Sequence, residues 1–162
     1  MAKATTALNT PNDTKYFYPA DDQRDHMYLP MKASTAMAEW AAVAPEIASN
    51  TTTGYLTLMG TANTTSKDFI GILAEPIVST DADYATAGKL KGVYVPKTPY
   101  AKAYAYIGNG TFTAAMVFGT RAFYSDSKSI DVTSKALWVR IMKYIDATHC
   151  ICRFSMPESV TA

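Results

Sequence analysis

The sequence predicts a mainly β protein, a compact antiparallel β-barrel or sandwich with an extended N-terminal arm. Strand-like runs alternate with turn residues at intervals of about 8 to 14 residues, which suits antiparallel strands better than βαβ units. Threonine is abundant, and its β-branched side chain fits a pleated sheet better than a helix. The last segment, Leu137 to Met156, has two apolar-rich runs that meet at a polar corner, Asp146 to Thr148. This segment predicts a closing β-hairpin.

The individual strands are read from apolar runs and the turns that bound them. Phe69 to Ala74 is a continuous apolar run closed by Glu75-Pro76, which predicts a central strand buried on both faces. The other expected strands are Tyr55 to Met59, preceded by a turn at Thr51 to Gly54 and ended by Gly60 and Asn63; Val93 to Val95; and Ala101 to Ile107.

Gly108-Asn109-Gly110 is the clearest turn signal, because Asn and Gly tolerate the positive φ of tight hairpins. It predicts that Ala101–Ile107 and Thr111–Phe118 form an antiparallel pair. A second turn is expected from Ser125 to Ser129.

Two segments fit more than one structure. Met31 to Asn50 carries Met37, Trp40 and Ala44 at helical spacing, yet its Thr- and Ala-rich flanks also permit an extended segment. Leu137 to Ile145 also matches a helical stripe, but its β-branched residues and the lack of a stop signal favour a strand.

Residues 1–30 are assigned to the arm and residues 31–162 to a single β-rich domain. The arm is polar and contains Pro11 and Pro19, but it also holds the aromatic cluster Tyr16-Phe17-Tyr18. Disordered tails are normally poor in aromatic residues. Two interpretations stay open: the arm becomes ordered against a partner, or it packs as a strand-like flap on its own domain.

The composition argues against several classes of partner. The net charge is +1 and no run of Lys or Arg occurs, so we expect no nucleic-acid partner. No apolar run approaches the roughly 20 residues that cross a bilayer, so we expect no membrane partner. We expect no enzyme activity, because no phosphate-binding loop, nucleophile elbow or Cys-His pattern is present.

Neither a metal site nor a cofactor is expected. His26 and His149 each lack a second ligand at metal spacing, and the Asp21–Asp25 run lacks the spacing of a calcium loop. Cys150 and Cys152 share one strand face with Phe154, where a mutual disulfide would be strained. They are expected to be buried thiols that pack as small hydrophobic groups.

The eleven tyrosines suggest a contact surface, since a tyrosine ring offers apolar area with a polar tip. Tyr104 and Tyr106 share one strand face, which is either packed under a loop or a subunit contact. The candidate residues for contact with a partner or another subunit are Tyr16, Phe17, Tyr18, Tyr28, Tyr104 and Tyr106.

The chain resembles the small capsid decoration proteins, also called cement or head-stabilising proteins, of tailed bacteriophages. The resemblance runs loosely from Met31 to Met156. It is carried by Lys32-Ala33-Ser34-Thr35-Ala36, Thr53-Gly54-Tyr55-Leu56, the strand from Phe69 to Glu75, and the stretch from Asp126 to Val132 with the closing turn Ile145 to Thr148.

This resemblance implies a structural virion protein that binds the outer surface of an expanded capsid and stabilises its lattice. The implied partner is the major capsid protein, and the implied protein is a homo-oligomer with a trimer favoured. The implied location is the capsid exterior, after synthesis in the host cytoplasm. The alternative is a β-barrel module that binds a glycan or a protein on a virion or cell surface.

Overall fold

The computed structural model describes residues 16–59, 69–98, 100–135 and 138–154, and these form a mainly β structure as predicted. No α-helix occurs within these ranges, and a single 3-10 turn spans Ala114–Met116. The strands are β1 (Tyr18–Pro19), β2 (Arg24–Met31), β3 (Ala42–Ala48), β4 (Thr51–Leu58), β5 (Gly71–Leu73), β6 (Lys89–Pro96), β7 (Lys102–Asn109), β8 (Thr120–Phe123), β9 (Ile130–Asp131), β10 (Val139–Asp146) and β11 (His149–Phe154).

The strands form a closed barrel and a separate six-stranded sheet. The barrel has the order β2-β4-β3-β5-β6, and the sheet has the order β1-β7-β11-β10-β8-β9. Most pairings are antiparallel, but β2 pairs with β4 and β7 pairs with β9 in parallel. The barrel is therefore mixed rather than purely antiparallel.

The predicted C-terminal hairpin is confirmed. β10 and β11 pair antiparallel and are joined at Ala147 and Thr148. Asp146 holds this corner, because its Oδ1 accepts hydrogen bonds from Thr148 N at 2.8 Å and from Thr148 Oγ1 at 3.0 Å. The strand prediction for 137–145 holds from Val139 onward, and Leu137 and Met156 lie outside the described residues.

The segment from Met31 to Asn50 contains no helix and consists of turns followed by strand β3. β2 ends at Met31, and β3 turns back into β4 through Ser49 and Asn50, whose φ angles are 50° and 63°. This turn lies just before the predicted one at Thr51–Gly54, because β4 already begins at Thr51. The predicted strand end at Gly60 and Asn63 lies outside the described residues.

The predicted hairpin around Gly108–Gly110 is wrong. β7 runs through to Asn109 and pairs with β11 on one side, and with β1 and β9 along the other. Both edges of β7 are thus occupied, so residues 111–118 have no edge to join and form the 3-10 turn instead. The predicted turn at Ser125–Ser129 is confirmed, with Tyr124 N donating to Ser129 O at 2.8 Å.

The main apolar cluster contains residues from both sheets. β5 is wholly buried between β3 and β6, as the apolar run predicted. Cys150 and Cys152 are fully buried, again as predicted. Among the members of this cluster are Phe17, Ala42, Phe69, Ile72, Ala103, Phe123, Ile141, Cys150, Cys152 and Phe154.

The boundary drawn after residue 30 needs correction. It falls inside β2, which pairs with β6 from Arg24 to Met31. Phe17 is fully buried, with its ring centroid 5.2 Å from that of Phe123 and 5.4 Å from that of Phe154. Residues 16–30 therefore pack on their own domain, which is the flap interpretation, while residues 1–15 lie outside the described residues.

Candidate functional site

The six predicted contact residues have different environments. Tyr28 is 63% exposed, whereas Tyr16 and Tyr18 are half-buried. Tyr104 and Tyr106 are also half-buried, on the outer face of the six-stranded sheet. Phe17 lies in the core, so its predicted role as a contact residue is corrected to a structural one.

An aromatic stack links the N-terminal segment to both sheets. The Trp40 ring lies 5.6 Å from the Tyr16 ring and 5.6 Å from the Tyr94 ring, with interplanar angles of 7° and 18°. The Tyr18 ring adds a tilted contact with Trp40 at 5.1 Å. The Arg24 guanidinium lies 5.4 Å from the centre of the Tyr94 ring. Stacked rings at these distances stabilise the packing of the segment beyond the area they bury.

Local backbone geometry positions Trp40 within this stack. Its φ is 68°, which is unusual for a residue other than glycine, and its N–H donates to Leu73 O at 2.7 Å. Burial raises the pKa of the Tyr16 phenol, and the nearby Glu39 and Tyr18 raise it further. The Tyr16 hydroxyl therefore stays neutral over the physiological pH range.

A second surface, which we call the β2–β6 face, continues from the stack. The register pairs His26 with Tyr94 and Tyr28 with Gly92. Because side chains alternate along a strand, these residues lie on the outer side of the barrel, opposite the core residues Met31 and Val93. The β2–β6 face consists of Arg24, His26, Tyr28, Leu90 and Tyr94.

Aromatic and apolar groups dominate the β2–β6 face. Tyr28 is 63% exposed and Leu90 is 60% exposed. The His26 ring lies 5.2 Å from the Tyr28 ring and 5.4 Å from the Tyr94 ring. Gly92 makes room for the imidazole, since a Cβ at that position would collide with His26 Nε2. The face is therefore built from packed rings rather than from loosely placed side chains.

An open groove of about 280 Å³ adjoins the β2–β6 face. It is lined by Asp22, Arg24, His26 and Tyr94, which combine a carboxylate, a guanidinium, an imidazole and a phenol. Arg24 is held in place by donating to Asp21 O at 2.6 Å. Within the described ranges, no three His, Cys, Asp or Glu side chains come together as metal ligands. The arrangement suits non-covalent recognition of a partner.

The Tyr104 and Tyr106 face lies on the six-stranded sheet. Tyr104 is opposite Tyr18 in register, and the Tyr106 ring lies 5.4 Å from that of His149. Burial would raise the pKa of the Asp146 carboxyl, but hydrogen bonds from Thr148 and His149 outweigh it and lower that pKa. This side is thus tied to the C-terminal hairpin, and through Tyr18 it adjoins the aromatic stack.

Sequence reasoning missed Trp40, Tyr94, Leu90 and the placement of His26. One signal was available: Arg24, His26 and Tyr28 recur with the period of two that is typical of a strand. Their partners on β6 could not be identified, because no local pattern specifies which distant strand pairs with which.

In the part of the chain that the structure describes, no helix has the length and apolar character needed to cross a membrane.

Comparisons with known proteins add no assignment to this geometry. The chain gives no match to protein-family models, to curated proteins or to solved structures.

Proposed function

We propose that this chain is a structural virion protein that binds the outer surface of a bacteriophage capsid and stabilises the lattice, as a decoration or cement protein does. Its partner is the major capsid protein, and its location is the capsid exterior after synthesis in the host cytoplasm. It acts as a homo-oligomer, with a trimer favoured. The loose sequence resemblance to this class supports the proposal.

The single observation that carries the proposal is the β2–β6 face. Exposed aromatic residues together with arginine are the composition of protein interfaces, and buried tyrosines there often act as hot spots. Tyr28 and Arg24 offer such side chains on a face that the barrel holds in fixed geometry. Many identical copies on a repetitive lattice gain avidity from individually modest contacts.

Co-sedimentation with capsids tests this function. The purified protein is mixed with empty expanded capsids and, in parallel, with unexpanded ones. We expect binding to the expanded form only. Equal binding to both forms, or no binding to either, would contradict the proposal.

A matched pair of variants tests the surface. Tyr28→Ala should weaken capsid binding by roughly 30-fold, the equivalent of about 2 kcal/mol for a hot-spot aromatic. Tyr100→Ala is the control, because Tyr100 is as exposed as Tyr28 but lies outside the β2–β6 face. Equal losses in the two variants would contradict a contact through this face.

The groove beside the β2–β6 face favours a second candidate, a module that binds a glycan or a protein on a virion or cell surface. The carboxylate, guanidinium, imidazole and phenol that line this groove are hydrogen-bonding groups that suit a sugar. Titration with a panel of oligosaccharides, followed by NMR, distinguishes the two candidates. Saturable shifts at Asp22, Arg24 and Tyr94 without capsid binding would favour this module.

A further inference from the structure

The backbone of β2 has two edges, and hydrogen bonds identify which residues face each one. Lys97 N donates to Gln23 O at 2.8 Å, one residue beyond the end of the β2–β6 ladder and in the same register. Lys32 N donates to Leu56 O of β4 at 2.9 Å, on the opposite edge. Backbone hydrogen bonding alternates along an antiparallel strand, so the odd-numbered residues of β2 bond to β6 and the even-numbered residues face the other way.

Within the part of the chain that the structure describes, the edge of β2 that faces away from β6 is open over most of its length. β4 reaches it at one residue pair, Met31 and Leu56. Among the described residues, no backbone partner is found for the N–H and C=O groups of Arg24, His26 and Tyr28 on this edge. The side chains from residue 24 to residue 28 are exposed on both faces, and Met27 is 46% exposed. No described residue therefore covers this edge.

The open edge of β2 ends at Pro30, next to the residue that pairs with β4. Pro30 has no N–H group, so it adds no donor, and it sits at a position that leaves the β2–β6 ladder intact. Three N–H groups and three C=O groups remain, at the spacing of alternate residues along a strand. Exposed strand edges of this kind are templates for pairing with another chain.

We infer that the open edge of β2 binds an extended peptide segment of the capsid protein, which pairs with residues 24–28 as an added strand. The inference rests on the proposed function for the identity of the partner. The chemistry of the edge defines the class of occupant, because alternating donors and acceptors at strand spacing match an extended polypeptide backbone. Every second side chain of that peptide packs beside Tyr28 on the β2–β6 face.

Proline substitution separates the backbone edge from the side chains. His26→Pro removes one outward N–H without removing a hydrogen bond of the β2–β6 ladder, whereas His26→Ala removes the imidazole and keeps the N–H. We expect His26→Pro to bind expanded capsids at least tenfold more weakly than His26→Ala does. Equal binding by these two variants would overturn the inference.

Hydrogen exchange on the wild-type protein keeps the test independent of whether the proline variant folds. Residue-resolved exchange is measured on the free protein and on the protein bound to expanded capsids. We expect the amides of Arg24, His26 and Tyr28 to exchange freely in the unbound protein and to become protected on the capsid. Those of Asp25 and Met27 should be protected in both states.

Each other outcome identifies a different failure. Capsid binding without added protection would overturn the edge inference and leave the proposed function standing, whereas a lack of capsid binding would overturn both. Protection in the free protein that rises with concentration would assign the edge to a second copy. Protection at every concentration would assign it to this chain's own residues, and either result would overturn the inference.

Discussion

At the residue scale, two aromatic side chains of the same polar segment have opposite roles. Phe17 fills the core between Phe123 and Phe154, while Tyr28 projects from the barrel. The aromatic content left two interpretations open, and residues 16–30 follow the one in which the segment packs on its own domain. The difference between the two residues could not be predicted, because it depends on how each side chain is oriented against sheets formed by distant residues.

Phe17→Ala should lower the free energy of unfolding by about 3–5 kcal/mol, because it leaves a cavity in the main core. Tyr28→Ala should change it by less than about 0.5 kcal/mol, since its side chain is exposed. Denaturant unfolding of both variants, with the wild type as reference, measures the two effects. Comparable losses would contradict the placement of Phe17.

Alkaline pH should destabilise the protein through its buried thiols. Burial raises the pKa of the Cys150 thiol to about 12, and burial and then the neighbouring Cys150 raise the pKa of Cys152 well above 9.0. Both pKa values are higher in the folded state than in the unfolded state. The thiols therefore do not change the free energy of unfolding below about pH 9, and they lower it as the pH rises toward 12.

The contribution of the thiols is measured by comparing the wild type with the double variant Cys150→Ala and Cys152→Ala. The two proteins share every other ionisable group, so the difference between the two pH profiles isolates the thiols. We expect the wild type to lose stability more steeply above pH 9. Parallel profiles would show that the thiols are accessible in the folded state.

At the scale of elements, the sequence predicted best where one local signal decides the outcome. The apolar run of β5, the β10–β11 hairpin and the turn at Ser125–Ser129 were found because burial or turn chemistry is encoded nearby. The partner of β7 was missed, since Gly108–Gly110 indicates a turn but not which strand follows it into the sheet. The strand that pairs antiparallel with β7 is β11, which begins 40 residues after β7 ends.

The central position of β5 predicts unequal effects of two similar substitutions. Ile72→Ala should cost about 2–5 kcal/mol in free energy of unfolding, because Ile72 is buried between the two sheets. Ile70→Ala is the matched control and should cost less than half as much, since Ile70 is partly exposed and precedes the strand. Equal costs in denaturant unfolding would place Ile72 at the periphery.

The turn between β3 and β4 predicts a stabilising change. Ser49 and Asn50 both have positive φ angles, which is the geometry of a type I′ hairpin turn. Ser49→Asn combined with Asn50→Gly supplies the residues that this turn prefers, so we expect the melting temperature to rise by a few degrees. A lower melting temperature would contradict the assigned geometry.

At the scale of the whole molecule, the β class was predictable, but the division into a barrel and a sheet was not. Composition, turn spacing and the short apolar runs exclude a helical protein, yet they leave barrel and sandwich equally open. The candidate site could not be predicted in full either, because it also depends on which strands pair. Tyr28 was identified from sequence, but the β2–β6 face appears only when β2 pairs with β6 and Gly92 admits the His26 ring.

The proposed function requires that the molecule bind a capsid through one defined side of its barrel. Cryo-electron microscopy of expanded capsids incubated with the purified protein tests it most directly. We predict ordered density on the outside of the shell, with the β2–β6 face and the open edge of β2 turned toward the capsid protein. A bare shell, or bound molecules whose β2–β6 face points to solvent, would contradict the account.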